Sequence, residues 1–327
     1  RARENYTIGE GFDSRGHPAK LMLTNVPEAF ETWLRERAEA LGIDVVEVEE
    51  LPGPETVEVD DSPASPAEVS GSGKGVDDII VLGADPDIIE QAAPNLASYG
   101  IMALIDDAPM TRPVKVDVGR IHYNRWLTVG TTSSDIAKAY SEVPVRSTLK
   151  SGGKVWFVGA GGPMGRMHVQ RAIESNEPPG TMVCTDISDD RLDDLCTSFK
   201  AEAIEKGIEF ICLNPMDKDR YETAMAPFKA SGFDDIIILA PVPPVIADAA
   251  TYLAPKGVMN IFAGVPRGKA AAIDMSMAYL DQTRVIGHTA STIDNMRFML
   301  RQAETGDLSP NRSVAAIGSL EAAWDGL

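Results

Sequence analysis

Gly161, Gly162 and Gly165 interrupt the apolar stretch "KVWFVGAGGPMGRMHVQRAIE" (154–174), and Asp186 follows 21 residues after Gly165. The stretch reads as a buried strand, a glycine turn with Pro163 and Met164 in it, and a helix over about 164–175. A helix N-terminus with no side chains in the way offers backbone N–H groups and partial positive charge to a pair of phosphates. Set against G-x-G-x-x-G, the best register makes Ala160, Gly162 and Gly165 the three positions, and Gly159 and Gly161 leave other registers open. The next strand, "TMVCTDI", ends on Asp186. A carboxylate there can accept from both hydroxyls of an adenosine ribose and repels a 2′-phosphate. The chemistry implied is dinucleotide binding, with NAD favoured over NADP. Two plainer uses stay open: a structural tight turn, and a strand-end or helix-capping aspartate before "SDDRL".

In a sheet that carries such a turn, ligands gather beyond the carboxyl ends of the strands where strand order reverses. Ala240 and Pro241 follow "DDIIIL", and "AGVP", Ala263 to Pro266 with Gly264 and Val265 inside, follows "GVMNIF". These small residues either let a nicotinamide ring lie against backbone or make ordinary strand-end turns. No catalytic group is assigned. His168 and His288 have no evident partner for proton transfer, and surface solvation accounts for Arg166, Arg191 and Arg267 as well as phosphate contact does.

The elements that position these residues occur twice. Residues 76–136 match 233–293 without a gap at an offset of 157, with 19 identities in 61 positions. Each copy has an acidic pair, an apolar strand, a helix expected to end at Gly100 or Gly257, and a second strand. A proline (Pro109, Pro266), an aspartate (Asp117, Asp274) and a last strand holding Gly130 or Gly287 complete it. A duplication is the reading of choice. Upstream of each copy lies a strand–helix–strand unit. In the first, "PEAFETWLRERAEALG" puts Phe30, Trp33, Leu34, Ala38 and Leu41 on one face, the pattern of a helix packed on a sheet.

The fold class expected is α/β, with two tandem doubly wound, Rossmann-like domains built on parallel sheets. Residues 1–19 are an extension, 20–146 a degenerate domain with a mobile acidic loop at 52–75 and one short strand in "ETVEV", 147–151 a linker, and 152–327 the dinucleotide-binding domain. The first domain has "TNVPEA" in place of the glycine turn, with Glu28 where a phosphate would meet the helix, and Asp106 and Asp107 in place of Ala263 and Gly264. Like charge opposes a dinucleotide there, so that domain is expected to be scaffold or partner surface.

Composition narrows the classes. Hydrophobic residues make up 44% and charged residues 24%, and 49 acidic against 30 basic residues give a net charge of −19. That balance disfavours nucleic acid and anionic membranes as partners, and no apolar run reaches membrane-spanning length. No export leader is visible, and since the chain starts at Arg1, whether it is a fragment of a longer one stays open. Cys184, Cys196 and Cys212 make no C-x-x-C pair and read as reduced core thiols of a cytoplasmic protein. His17, His122, His168 and His288 lack metal-ligand spacing, so no metal site is expected from this chain.

About residues 152–327 resemble the nucleotide-binding lobe of the medium-chain zinc-type dehydrogenases, in the branch of the L-sorbose 1-phosphate reductase-like enzymes. The resemblance rests on "VGAGGPMGRMHVQRAIE", "TDISDDRL", "FDDIIILAPVPPVI", "IFAGVPRG" and "PNRSVAAIGSLEAAWDGL". It implies that Gly162, Pro163, Met164 and Gly165 contact the pyrophosphate, Asp186 the ribose, and the 264–265 turn the nicotinamide. It also implies a catalytic lobe whose Cys, His and Glu bind zinc and substrate. No such lobe and no G-H-E motif are recognisable here, so zinc is expected only from a lobe outside this chain. Family members dimerise by joining the edges of two nucleotide-binding sheets, and the tandem repeat is expected to mimic that dimer, with 127–132 and 285–289 near the junction; further homo-oligomerisation stays open. The function expected is the NAD-binding part of an oxidoreductase that acts on an alcohol, polyol or sugar phosphate by hydride transfer. The alternative is a non-catalytic NAD-sensing or assembly module.

Overall fold

The computed structural model describes residues 20–24, 26–49, 75–141, 146, 148–289, 291, 293–314, 317–322 and 324. The expected extension 1–19, the loop 52–75 apart from Gly75, and the strand in "ETVEV" lie outside them. Among the described residues, no helix is long and apolar enough to cross a membrane. The architecture is α/β with Rossmann-type parallel sheets. Two compact units share the chain: Arg1–Thr148 with Val242–His288, and Leu149–Pro241 with Thr289–Leu327. The units do not follow the repeat boundary, because residues after Val242 group with the first copy.

The second unit holds the parallel strands β7 (Lys154–Val158), β8 (Thr181–Thr185), β9 (Glu209–Leu213) and β10 (Phe233–Ile238), in the order β10–β7–β8–β9. In β7 the run Val155–Val158 is wholly buried, as a strand covered on both faces requires. Helices α5 (Pro163–Ile173), α6 (Asp189–Glu205) and α7 (Lys218–Ser231) make the crossovers. Ser188 caps α6 by accepting from Arg191 N–H at 3.4 Å, and Leu192, Leu195, Phe199 and Ala203 form its buried stripe. Asp234 anchors the start of the sheet. Its carboxylate accepts from Lys154 N–H at 2.9 Å and Lys150 Nζ at 2.6 Å. Burial raises its pKa, but these donors outweigh that and hold it below the usual carboxylate range. Because α6 packs on β9, Cys196 and Cys212 meet and are joined as a disulfide. This corrects the expectation of three thiols. Cys184 on β8 remains a buried thiol whose pKa burial pushes up.

In the first unit, β3 (Val76–Leu82), β4 (Leu96–Ile105) and β6 (Leu127–Thr131) form a parallel sheet in the order β3–β4–β6. Strands β11 (Leu253–Ile261) and β13 (Arg284–Gly287) pair in parallel, and β5 (Val114–Asp117) pairs antiparallel with β12 (Ala270–Ile273). Helices α2 (Pro86–Ala92), α3 (Val118–Asn124), α4 (Ala137–Ser141), α8 (Pro243–Ala250) and α9 (Met277–Leu280) belong to the same unit. The expected helix ends are corrected: α2 and α8 stop at Ala92 and Ala250, and Gly100 and Gly257 lie inside β4 and β11. The glycines follow Tyr99 and Lys256, which adopt left-handed backbone at φ 63° and 62°, and the register of β4 on β3 shifts between Leu96 and Ile101.

Tyr99 and Lys256 are equivalent in the two copies. So are the other non-glycine residues with positive φ, Arg125 at 53° and Gln282 at 55°. The β5–β12 ladder pairs Lys115 with Ala272, themselves equivalent positions, so the pairing is centred on an internal two-fold relation. Glycine contacts repeat that symmetry. A Cβ on Gly130 would stand 2.6 Å from Tyr279 Cβ, and one on Gly287 would stand 2.4 Å from Ile121 O and 2.6 Å from His122 Cα. His122 and Tyr279 are again equivalent. Ile101, Leu127 and Val129 share one buried cluster with Val258 and Ile286.

The strand–helix–strand unit upstream of the first copy forms as expected, with β1 (Lys20–Leu23) parallel to β2 (Asp44–Glu47) and α1 (Glu28–Ala40) between them. Its helix does not pack as expected. Ala38 is buried, but Trp33 is 56% exposed and Leu41 is exposed, because β1 and β2 form a sheet of their own that offers α1 too little apolar area.

Candidate dinucleotide site

The glycine turn is tied to the end of β8 by its own backbone. Gly159 N–H and Ala160 N–H both donate to Thr185 O, at 2.8 and 2.9 Å. Gly159 holds φ at 88°, where a side chain would be strained, and its Cβ position lies 3.1 Å from Ala240 N. Ala240 at the end of β10 is thereby brought against the turn. Gly165 sits in the first turns of α5, and a Cβ there would stand 2.4 Å from Ala160 O. Only glycine lets the helix cross the turn this closely.

Gly162 differs in kind. It is the N-cap of α5, gives no side-chain cap, and a Cβ on it meets nothing within 4 Å. Pro163 takes the first helical position, which needs no N–H, and Met164 is exposed. A side chain at Gly162 would therefore project into open space at the N-terminus of α5, the kind of helix end whose N–H groups receive phosphate oxygens.

Asp186 lies beside the turn and is 8% exposed. One carboxylate oxygen accepts Gly161 N–H at 3.0 Å and the other accepts Ser188 N–H at 3.1 Å. The helix-capping use held open for Asp186 belongs to Ser188. A carboxylate has about four acceptor positions, so two remain for hydroxyl donors. A Cβ on Gly161 would stand 2.9 Å from this carboxylate and 2.6 Å from Arg191 Cβ. Gly161 is thus what lets the acid close on the turn, and Arg191 starts from the turn's rim.

The structure brings Gly159–Gly165, Asp186 and Ala240 together within one unit. Gly264 and Val265 belong to the other unit, where Gly264 is exposed beside the Tyr123 hydroxyl and Val265 is buried. Arg166 is taken up by Asp194, Ser198 and the face of Phe199. Arg267 bonds Asn124 Oδ1 at 2.9 Å and lies over Tyr123. His168 Nδ1 pairs with Met164 O at 2.7 Å, and burial lowers its pKa.

The equivalent strand ends in the first copy line a pocket of about 300 Å³ that includes Gly83, Asp85, Asp106, Pro109 and Met110. The Asp106 carboxylate accepts from Ala84, Ala108 and Asp107 N–H, which hold it below the usual carboxylate range despite partial burial. That end is fixed as an anion. Among the described residues, no group of three or more His, Cys, Asp or Glu could hold a metal ion.

No family model matches the chain. Mannitol-1-phosphate 5-dehydrogenase of Aliivibrio fischeri is 25% identical over 221 residues, 66% of this chain and 49% of that protein. L-sorbose 1-phosphate reductase of Klebsiella pneumoniae is 27% identical over 179 residues, 54% of this chain and 42% of its own. The matched region is similar to two oxidoreductases named for a phosphorylated polyol and a phosphorylated sugar. An uncharacterized Escherichia coli protein, YggP, is 33% identical over 181 residues, 54% of this chain and 42% of its own. The chain spans about half the length of these relatives.

Proposed function

We propose that the chain is the nucleotide-binding part of an NAD-dependent oxidoreductase acting on a polyol, alcohol or sugar phosphate. The observation that carries this reading is the latch between the Asp186 carboxylate and Gly161 N–H, beside an N-terminus of α5 that is bounded by Gly162 and open. Gly162, Pro163, Met164 and Gly165 would receive the pyrophosphate, and Asp186 the adenosine ribose. A bound nicotinamide supplies the hydride acceptor. This chain's residues bind and orient it, while the substrate-side acid and any zinc come from residues outside this stretch. Relatives named for a mannitol phosphate and a sorbose phosphate support a small phosphorylated polyol or sugar as substrate.

The preference for NAD rests on charge. Asp186 would face a 2′-phosphate with a like charge and little water around it, and Arg191 offers the opposing attraction. Fluorescence titration of NADH and NADPH into the protein and into Asp186→Asn tests this. The expected result is tighter NADH binding by the native protein and a preference narrowed at least tenfold in the variant. Equal affinities for both cofactors in both proteins would remove Asp186 from the reading.

A further inference from the structure

Strand β3 pairs with β4 on one side, and among the described residues no strand pairs with its other side. Strand β1 likewise pairs only with β2. Each of these edges, unpaired among the described residues, has a paired equivalent in the second unit. There β10, the equivalent of β3, pairs with β7 in parallel, and β7 pairs with β8 as β1 pairs with β2. Burial follows the pairing. Ile237 on β10 is 7% exposed, whereas its equivalent Ile80 is 44% exposed and Leu82 is exposed as well. Val155 and Trp156 on β7 are buried, whereas Leu21 and Met22 on β1 are only half-buried.

We propose that the vacant edge of β3 is the docking surface for β1 of the same chain, which carries α1 onto the apolar face of Ile80 and Leu82. The second unit fixes the register. Asp235 pairs with Val155, Ile236 with Trp156 and Ile237 with Phe157. With Lys20 aligned on Lys154, the first strand of each unit, this places Asp78 opposite Leu21, Ile79 opposite Met22 and Ile80 opposite Leu23. The acidic pair supports the alignment. Asp234 accepts the backbone N–H of Lys154, and the exposed Asp77 stands ready to accept that of Lys20. Docking also gives the exposed Trp33 and Leu41 of α1 an apolar surface, as the pattern of that helix requires. It removes an open strand edge flanked by apolar side chains, which otherwise invites pairing with other chains.

Double-cysteine cross-linking in the full chain tests the docking, since Cys184 is buried and Cys196 is joined to Cys212. Leu23→Cys with Ile80→Cys is expected to form an intrachain disulfide under mild oxidation at least tenfold faster than Lys20→Cys with Leu82→Cys, which the register keeps apart. Equal rates for the two pairs, or cross-links formed only between chains, would overturn the proposal. Amide exchange gives a second readout without cysteines. The β3 amides of the native chain are expected to exchange at least tenfold more slowly than those of Ile80→Asp, and unchanged rates would contradict docking.

Discussion

The turn Gly159–Gly165 and the start of α1 after Pro27 occupy the same place in two related strand–helix–strand units, yet they offer an anion very different surroundings. At the first, glycine lets α5 cross Ala160 and lets Asp186 close on Gly161, and the helix N-terminus stays open. At the second, α1 starts after Pro27 with Glu28 and Glu31 in its first turn, so carboxylates already face the helix dipole. The two copies differ in charge again at a later strand end, with Ala263 in one and the fixed anion Asp106 at the equivalent position in the other. What separates the two turns is therefore a few atoms of side chain and the carboxylates of a first helical turn.

The largest effect that would break this comparison is steric. Gly165→Val forces a side chain into the Ala160 backbone, and denaturant unfolding should show a loss of about 2–3 kcal/mol. The open Gly162 gives a smaller expectation, a loss of about 1 kcal/mol in Gly162→Val from its N-cap position alone. A large loss there would mean that the cradle is packed rather than open.

His288 sharpens the comparison further, because the first copy has Thr131 at the same position. Burial, with Arg125 and His122 adding to it, pushes the His288 pKa down to about 4. The unfolded chain binds that proton near pH 6.5. The unfolded state therefore holds more protons between about pH 6.5 and 4, and stability falls as pH drops through that window. His288→Thr should remove about 1–2 kcal/mol of this fall, read from unfolding midpoints at pH 7 and pH 4.5.

Asp234 predicts a smaller effect of its own. Its pKa is depressed, so its contribution is present above the ordinary aspartate pKa of about 3.9 and is lost as pH falls below it. Asp234→Asn should cost about 1 kcal/mol at pH 7 and flatten the stability profile below pH 4.

Much of the second unit was legible in the sequence. Apolar strands alternating with striped helices give β7 to β10 and their parallel order, and the glycines and Asp186 singled out in the sequence lie together in the fold. The first unit was less so. The paired positive-φ residues Tyr99 and Lys256 make strands of segments whose composition reads as helix end, because a left-handed residue other than glycine leaves no sequence signal. The latch from Asp186 to Gly161 and the junction of Cys196 with Cys212 depend on how α6 lies against the turn and β9. Spacing along the chain carries no trace of that. The face of α1 was read correctly as apolar, but a stripe alone does not say which sheet covers it.

The central claim, one dinucleotide cradle in a chain with two related folds, is tested most directly by calorimetric titration of NADH into the native protein and into Gly162→Val. The account predicts one site per chain in the native protein, and at least a tenfold loss of affinity in the variant while it stays folded with only the small stability loss of an N-cap change. Two sites per chain, or native affinity in Gly162→Val, would contradict it.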